Sequence, residues 1–494
     1  MIKSLLIANR GEIAVRIART ARRMGVKVYA VRTKKEPDAL YLSAADVVLD
    51  FPYKDESVTE FLEANVLIQL AVDNEVEAMH PGYGFLSENA DFAAACQKAG
   101  LVFIGPPAHL ISAMGDKIQA RSFAQESGVK VPGGSSKPVT DAEEAMVLAG
   151  QIGYPVIVKA TAGGGGRGMR IVRDAVDMQQ MFSQAASEAY NAFGNPSLYL
   201  EKYIENPKHI EIQIVADNYG NVLHLGEREC SIQRKHQKLL EEAPSPALDG
   251  RLRQAMTEAA VSLARGIKYR SLGTVEFLLD KQGEFYFMEM NTRLQVEHPV
   301  TEMITGLDLV ELQILIASGA RLPVKQRDVQ FQGWAIECRI NAEDAQAGFV
   351  PSMGILRSIR LPQGNNIRID TGVRPGTEIT PFFDSMLAKL IVHAASRAEA
   401  IEKTLKALRQ LHVKGLKTTI PFCKAVLHNP LFRSGYFDTS FVESALDSPV
   451  HREPQEEFLA ALLSVYAQTH STTPITSDDV HVDPWVLKKR IRNF

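Results

Sequence analysis

Glu289-Met-Asn-Thr-Arg-Leu-Gln-Val-Glu297 alternates polar with largely apolar residues. Read as a β-strand, it points successive side chains to opposite faces. Glu289, Asn291, Arg293, Gln295 and Glu297 then share one face, and Met290, Thr292, Leu294 and Val296 share the other. The solvated face of a half-buried strand ordinarily carries Lys, Thr and Ser. Two carboxylates, two carboxamides and an arginine in register instead suit a metal-bound nucleotide beside a small anion.

The preceding segment sharpens that reading. Gly273-Thr-Val-Glu-Phe-Leu-Leu-Asp280 is apolar, Lys281-Gln-Gly-Glu284 is a turn signal, and Phe285-Tyr-Phe-Met288 resumes the apolar run. A hairpin turning at Gln282-Gly283 predicts Lys281 opposite Glu284 and Glu276 opposite Glu289. Two carboxylates facing each other at about 5 Å repel. A divalent cation between them removes the conflict, and Mg²⁺ takes one or two carboxylates alongside substrate phosphates. Glu276 and Glu289 are therefore candidate metal ligands, and they imply a nucleotide.

A chain of 494 residues predicts three or four domains at ~150 residues each. Hydrophobic content of 45% with 23% charged residues is ordinary for a globular protein, and a net charge of −3 gives no footprint for nucleic acid. Cys96, Cys230, Cys338 and Cys423 are too widely spaced for a paired-cysteine metal site and read as reduced thiols of a cytoplasmic protein. Leu5-Leu-Ile-Ala8 is followed at once by Asn9-Arg-Gly-Glu12, unlike a targeting sequence. No run approaches the ~20 apolar residues of a membrane span.

Along residues 1–115, short apolar strands (4–8, 26–31, 47–49, 78–80, 102–104) alternate with helical segments, including one with Ile13, Ile17 and Ala21 on one side. That order predicts a doubly wound parallel sheet within an α/β, multidomain chain. A second region, 116–330, contains a unit at about 130–205 and the hairpin. A third, 331–446, starts with the strand Ala335–Ile340 and ends with a helix near 398–411. Residues 447–494 read as an accessory tail, with an amphipathic stretch at 458–466.

Gly163, Gly164, Gly165, Gly166 and Gly168 are five glycines in six residues. Such a loop lets backbone N–H groups approach phosphates. It lies between two strands, Val156–Lys159 and Arg170–Arg173, which predicts a hairpin flap with Lys159 beside the phosphates. Lys117 sits at a predicted interdomain cleft, and the strand ending in Glu201-Lys202-Tyr203-Ile204 offers a backbone edge to a base. Gln233, His236 and Lys238 lie in Ser231–Lys238, a polar segment whose basic residues have no nearby acid, which predicts a solvated loop able to hold a small anion. By pattern alone, His209 and His298 read as structural, and Arg339 as an outward charge beside apolar Ile336, Cys338 and Ile340.

These stretches together resemble the biotin carboxylase component of biotin-dependent carboxylases, an ATP-grasp enzyme, over residues 1–446. The resemblance rests on Ile7–Ile13, His80–Glu88, Met114–Lys117, Gly163–Gly168, Glu229–Arg234, Glu289–Thr301, Glu337–Asp344 and Asp384–Met386. It implies a doubly wound N-terminal domain, an ATP-grasp lid and central domain, and a mixed α/β C-terminal domain. It implies ATP contacts from Lys117, Lys159, the glycine loop, Glu201, Lys202, Ile204, His209, Gln233 and His236. Glu276, Glu289 and Asn291 would hold Mg²⁺ (or Mn²⁺). Lys238, Arg293, Gln295 and the Val296 amide would hold bicarbonate, with Glu297 as the base. Arg339 would stabilise the biotin enolate in a pocket lined by Tyr83 and Gly84.

The implied activity is ATP- and bicarbonate-dependent carboxylation of biotin through carboxyphosphate. Lys235, Arg32-Thr33 and Phe382-Phe383 depart from the usual family residues, outside the implied catalytic roles. No methionine is followed by lysine, so the biotin is expected on a separate biotinyl carrier protein. A separate carboxyltransferase subunit is expected too, and the chain itself is expected to be a homodimer. The final acceptor is expected to be chosen by the transferase.

Overall fold

Leu5, Leu6 and Ile7 are buried on both faces of β1 (Ser4–Ile7), as in the centre of a parallel sheet. The computed structural model describes residues 1–53, 60–161, 169–445 and 462. The glycine loop 163–168 and, apart from residue 462, the tail 447–494 lie outside the described residues. Strands β1, β2 (Lys27–Arg32), β3 (Val47–Asp50), β4 (Ala78–His80) and β5 (Val102–Phe103) form a parallel sheet ordered β3-β2-β1-β4-β5. The helix Gly11–Arg23 buries Ile13, Ile17 and Ala21, as its spacing predicts. The strand order reverses between β1 and β4, which opens a crevice at their C-terminal ends. Asn9 ties the two ends together there, its Nδ2 donating to the carbonyls of Pro81 (2.8 Å) and Tyr83 (2.7 Å). Gly82, at φ +65°, approaches so closely that a Cβ would sit 2.8 Å from that Nδ2.

β6 (Val156–Ala160), β7 (Arg170–Val172) and β8 (Leu198–Lys202) form a separate antiparallel sheet ordered β7-β6-β8. The largest sheet begins with β9 (Lys208–Ala216), β10 (Val222–Arg234), β11 (Gln237–Ala243), β12 (Ser271–Leu279), β13 (Phe285–Asn291) and β14 (Trp334–Asn341). Its order is β13-β12-β9-β10-β11-β14, followed by the strands Met386–Ala394 and Ile367–Thr371. β11 pairs with β14 and β14 with Met386–Ala394, so one sheet runs without a break across residue 330. An apolar cluster joins Leu5, Ile17 and Met79 to Leu309 and Ile314, and on to Val215 and Leu272, clamping the parallel sheet to the large one. Among the described residues no helix is long and apolar enough to cross a membrane.

Three expectations need correction. Ser231–Lys238 is not a loop: it is a strand hairpin, β10 into β11, turning at Lys235-His236. Both turn residues have positive φ (47° and 64°), the geometry of a two-residue turn that follows strand twist, without the Asn-Gly that usually announces it. Glu276 does face Glu289, but Lys281 does not face Glu284. The turn is one residue longer, with Asp280 N donating to Glu284 O at 2.9 Å and Gly283 at φ +82°. An irregularity between Glu276 and Phe277 leaves Met288 unpaired and restores the register. Finally, the strand ends at Asn291. Residues 292–297 leave it as a connecting segment, and Glu297 is the N-cap of the helix His298–Thr305.

Candidate active site

The signal that placed acid residues on β12 and β13 also runs through β9, where His209, Glu211 and Gln213 alternate with Ile210, Ile212 and Ile214. Glu276 stands opposite Glu211 on one side and Glu289 on the other, giving a row of three carboxylates across three strands. Lys238 reaches in from β11. Its Nζ lies 2.6 Å from Glu211 Oε2, 3.0 Å from Glu276 Oε1 and 2.7 Å from Glu297 Oε1. The expectation of a cation without nearby acid is thus reversed. Arg228, fully buried, braces the row. It pairs with Glu211 and donates to Gln213 Oε1 (2.8 Å), Gln295 Oε1 (2.8 Å) and Thr301 Oγ1 (2.9 Å).

Glu276 Oε1 also accepts from Asn291 Nδ2 (2.8 Å) and Gln295 Nε2 (2.7 Å), and its Oε2 lies 2.8 Å from His209 Nε2. Burial works against its charge, but Lys238 and His209 hold the carboxyl well below its ordinary range. Glu289 is half-buried, and its carboxylate has no hydrogen bond or ion pair among the described residues. Burial and the facing Glu276 push its carboxyl up, with Lys117 opposing. A carboxylate with free lone pairs, opposite a second carboxylate and near a carboxamide, fits Mg²⁺. Lys117 and Lys159 lie on the same side. Burial and Lys159 lower the Lys117 ammonium, with Glu289 opposing.

Glu297 sits where the two halves of the site meet. Lys238 holds its Oε1, and Arg339 Nη2 holds its Oε2 at 2.9 Å. Against burial, Lys238, Arg339 and Arg228 keep this carboxyl well below its usual range, so it is ionised at neutral pH. Arg339 is not an outward charge: its Nε donates to Glu241 Oε1 at 2.6 Å. Arg293 donates to Glu88 Oε2 (2.8 Å) and Asn291 Oδ1 (2.9 Å). Glu88 also receives the Thr292 N–H at 3.0 Å, which fixes the segment that carries Arg293, Gln295 and Val296.

The remaining candidates are more dispersed. Glu201 is buried between Lys159 and Arg121. The side chain of Lys202 is turned to the carbonyls of Gly153 and Tyr154, at 2.9 Å each, and Ile204 follows half-buried. Gln233 stands opposite Lys238, while His236 is exposed at the hairpin tip. His298 is buried, with Nδ1 2.8 Å from Gln295 O. Tyr83 and Gly84 line a cavity of about 340 Å³ with Glu12, Phe382, Phe383 and Asp384. Arg339 does not line it. Tyr83 donates to Glu12, which pairs with Lys389 Nζ at 3.0 Å, and Lys389 donates to Val296 O at 2.8 Å. Glu88, Glu211, Arg228, Glu241 and Lys389 were not singled out in the sequence. Only Glu211 carried a usable local signal.

Family models match most of the chain. They are the biotin carboxylase N-terminal domain over residues 1–111, the carbamoyl-phosphate synthase L chain ATP binding domain over 116–325, and the biotin carboxylase C-terminal domain over 337–444. Biotin carboxylase 1 of Bacillus subtilis is 50% identical over 445 residues, covering 90% of this chain and 99% of its own. A pyruvate carboxylase component of Methanothermobacter thermautotrophicus is 45% identical, covering 97% and 98%. The biotin carboxylase domain dimer of Hydrogenobacter thermophilus 2-oxoglutarate carboxylase, solved with MgADP, ADP and bicarbonate, superposes with a TM-score of 0.87. It shares 46% identity and covers 90% of this chain and 97% of its own. By the match of its sequence from residue 1 to 444, the chain belongs to the biotin carboxylase family.

Proposed function

We propose that the chain carboxylates the biotin of a separate carrier protein, using ATP and bicarbonate, as the first half-reaction of a multisubunit carboxylase. The observation that carries the residue roles is Glu297, held ionised between Lys238 and Arg339. Lys238, Arg293, Gln295 and the Val296 N–H would hold bicarbonate beside that carboxylate. A bicarbonate oxygen attacks the γ-phosphorus while Glu297 takes the proton, and ADP leaves. Bicarbonate also tunes its own base. When Lys238 turns to the substrate, Glu297 loses a cation and its proton affinity rises. Glu276, Glu289 and Asn291 would hold Mg²⁺, which supplies charge neutralisation on the phosphates. Lys117 and Lys159 add positive charge at that end, and Glu201 keeps Lys159 in place.

The product, carboxyphosphate, is destroyed by water, so the β6–β8 sheet with the glycine loop is assigned the role of a closing cover. Carboxyphosphate breaks to CO₂ and phosphate. Phosphate takes the N1 proton of biotin, Arg339 stabilises the ureido oxyanion, and N1 bonds to CO₂. The carrier's biotin would enter past Tyr83 and Gly84.

Relatives named for pyruvate and 2-oxoglutarate carboxylases resemble this chain at similar identity, which supports leaving the acceptor to a partner carboxyltransferase. A homodimer is supported by the dimeric neighbour, and a cytoplasmic location by four buried free cysteines. The test is ADP release from the purified chain with Mg-ATP and free biotin, with and without bicarbonate. Strict dependence on bicarbonate, increased by biotin, is expected. ADP release indifferent to bicarbonate would overturn the reading.

A further inference from the structure

Glu241 and Glu337 stand directly opposite each other in the β11–β14 pair, and both are fully buried. Two ionised carboxylates at about 5 Å repel, the more so away from water. The cations nearby are already engaged. Arg339 serves Glu241 and Glu297 together. Lys389, opposite Arg339 on the next strand, is bound to the Val296 carbonyl and Glu12. Glu241 Oε2 and both oxygens of Glu337 have no hydrogen-bond partner among the described residues. A proton on one carboxyl, with a free lone pair on the other, removes the conflict.

We infer that Glu241 and Glu337 share one proton, and that the single charge left on Glu241 tethers Arg339 at the ureido end when Glu297 loses its own charge. The inference rests on the assignment of Arg339 to biotin given above. Once Glu297 has taken the proton of bicarbonate, it is neutral and its hold on Arg339 Nη2 weakens. Glu241 is then the remaining anionic anchor of the guanidinium. It acts through Arg339 and is a positioning residue. The charged and titratable groups facing the pair are Arg339 on β14, Lys238 on β11, Lys389 on the neighbouring strand, Cys230 on β10, and Glu297 at the N-cap of the overlying helix.

The electrostatics run the same way. Burial, helped by Glu297 and opposed by Arg339, pushes the Glu241 carboxyl up to about 7. Burial, helped by Glu241 and opposed by Lys389, also raises Glu337 well above the usual carboxylate range. As pH falls through about 7, Glu241 takes up a proton and the tether loses its charge.

The test uses the full chain and two rates: bicarbonate-dependent ADP release without biotin, and carboxylation of free biotin. Glu241→Gln should lower the biotin rate roughly ten- to a hundredfold, the loss expected for one hydrogen bond between charged groups. It should change the biotin-independent rate by less than about threefold, since that rate does not need Arg339 at the ureido. Glu241→Asp should recover part of the loss. The ratio of wild-type to Glu241→Gln biotin rates should shrink as pH falls from about 8.5 to 6, because wild type then loses the same charge. Equal losses in both rates, or a flat ratio, overturn the tether. If Glu241→Gln does not fold, Glu337→Gln decides. Its carboxamide replaces a protonated carboxyl, so both rates should survive within about threefold, and loss of both overturns the shared proton. If Arg339→Ala itself spares biotin carboxylation, the site reading fails instead, whatever Glu241 does.

Discussion

Glu276 faces Glu289 across β12–β13, and Glu241 faces Glu337 across β11–β14, with β9 and β10 between the two pairs. The register is the same and the environments are opposite. Glu289 is half-buried and faces the side that Lys117 and Lys159 occupy, so a hydrated ion can reach it. Glu337 is sealed beneath the helix His298–Thr305, and the arginine beside the pair is bound to Glu241. One pair is suited to a metal, the other to a proton. Cross-strand acid pairs therefore do not identify their counter-ion. Access and the surrounding cations do.

The sharpest break is at Glu297, which lies between the pairs. Glu297→Gln should lower turnover by roughly 10³-fold or more while equilibrium nucleotide binding stays near wild type. Unchanged turnover would remove it as the base. Next, Glu276→Gln should cost roughly 10²-fold in ADP release, because Lys238, His209 and the metal all lose their shared carboxylate. Glu289→Gln should be milder: the Mg²⁺ concentration for half-maximal ADP release should rise about tenfold. Glu337→Gln should leave that concentration unmoved. A Mg²⁺ shift from Glu337→Gln would erase the distinction between the pairs. The smallest effect is on stability. Removing an unpartnered, partly buried charge should let metal-free Glu289→Gln melt about 1–3 °C higher than wild type, and a lower melting point would mean that Glu289 has a partner.

The N-terminal sheet was legible because its strands are short, apolar on both faces and separated by helices. Local pattern and topology agree there, from Leu5 to Phe103. The acidic row was legible for a less sound reason. The longer turn at Lys281–Gly283 and the unpaired Met288 shift the register in opposite senses, so Glu276 still meets Glu289. Lys238, by contrast, was read as a lysine without acids because Glu211 and Glu297 are brought to it from elsewhere in the chain. Arg339 looked solvated for the same reason, since Glu241 lies 98 residues away. A polar residue on a sheet acquires meaning from strands that pairing places beside it, and pairing across such distances leaves no local trace.

The unbroken passage of the large sheet from β11 to β14 bears on how this protein can be cut. The family models end near residue 325 and resume at 337, which invites a shorter expression product ending between them. Such a fragment would strip β11 of its neighbour and leave a row of unpaired backbone groups from Leu240 to Ala243. An open, apolar-flanked edge of this kind recruits other chains. Truncation there would give aggregates rather than an isolated nucleotide-binding half.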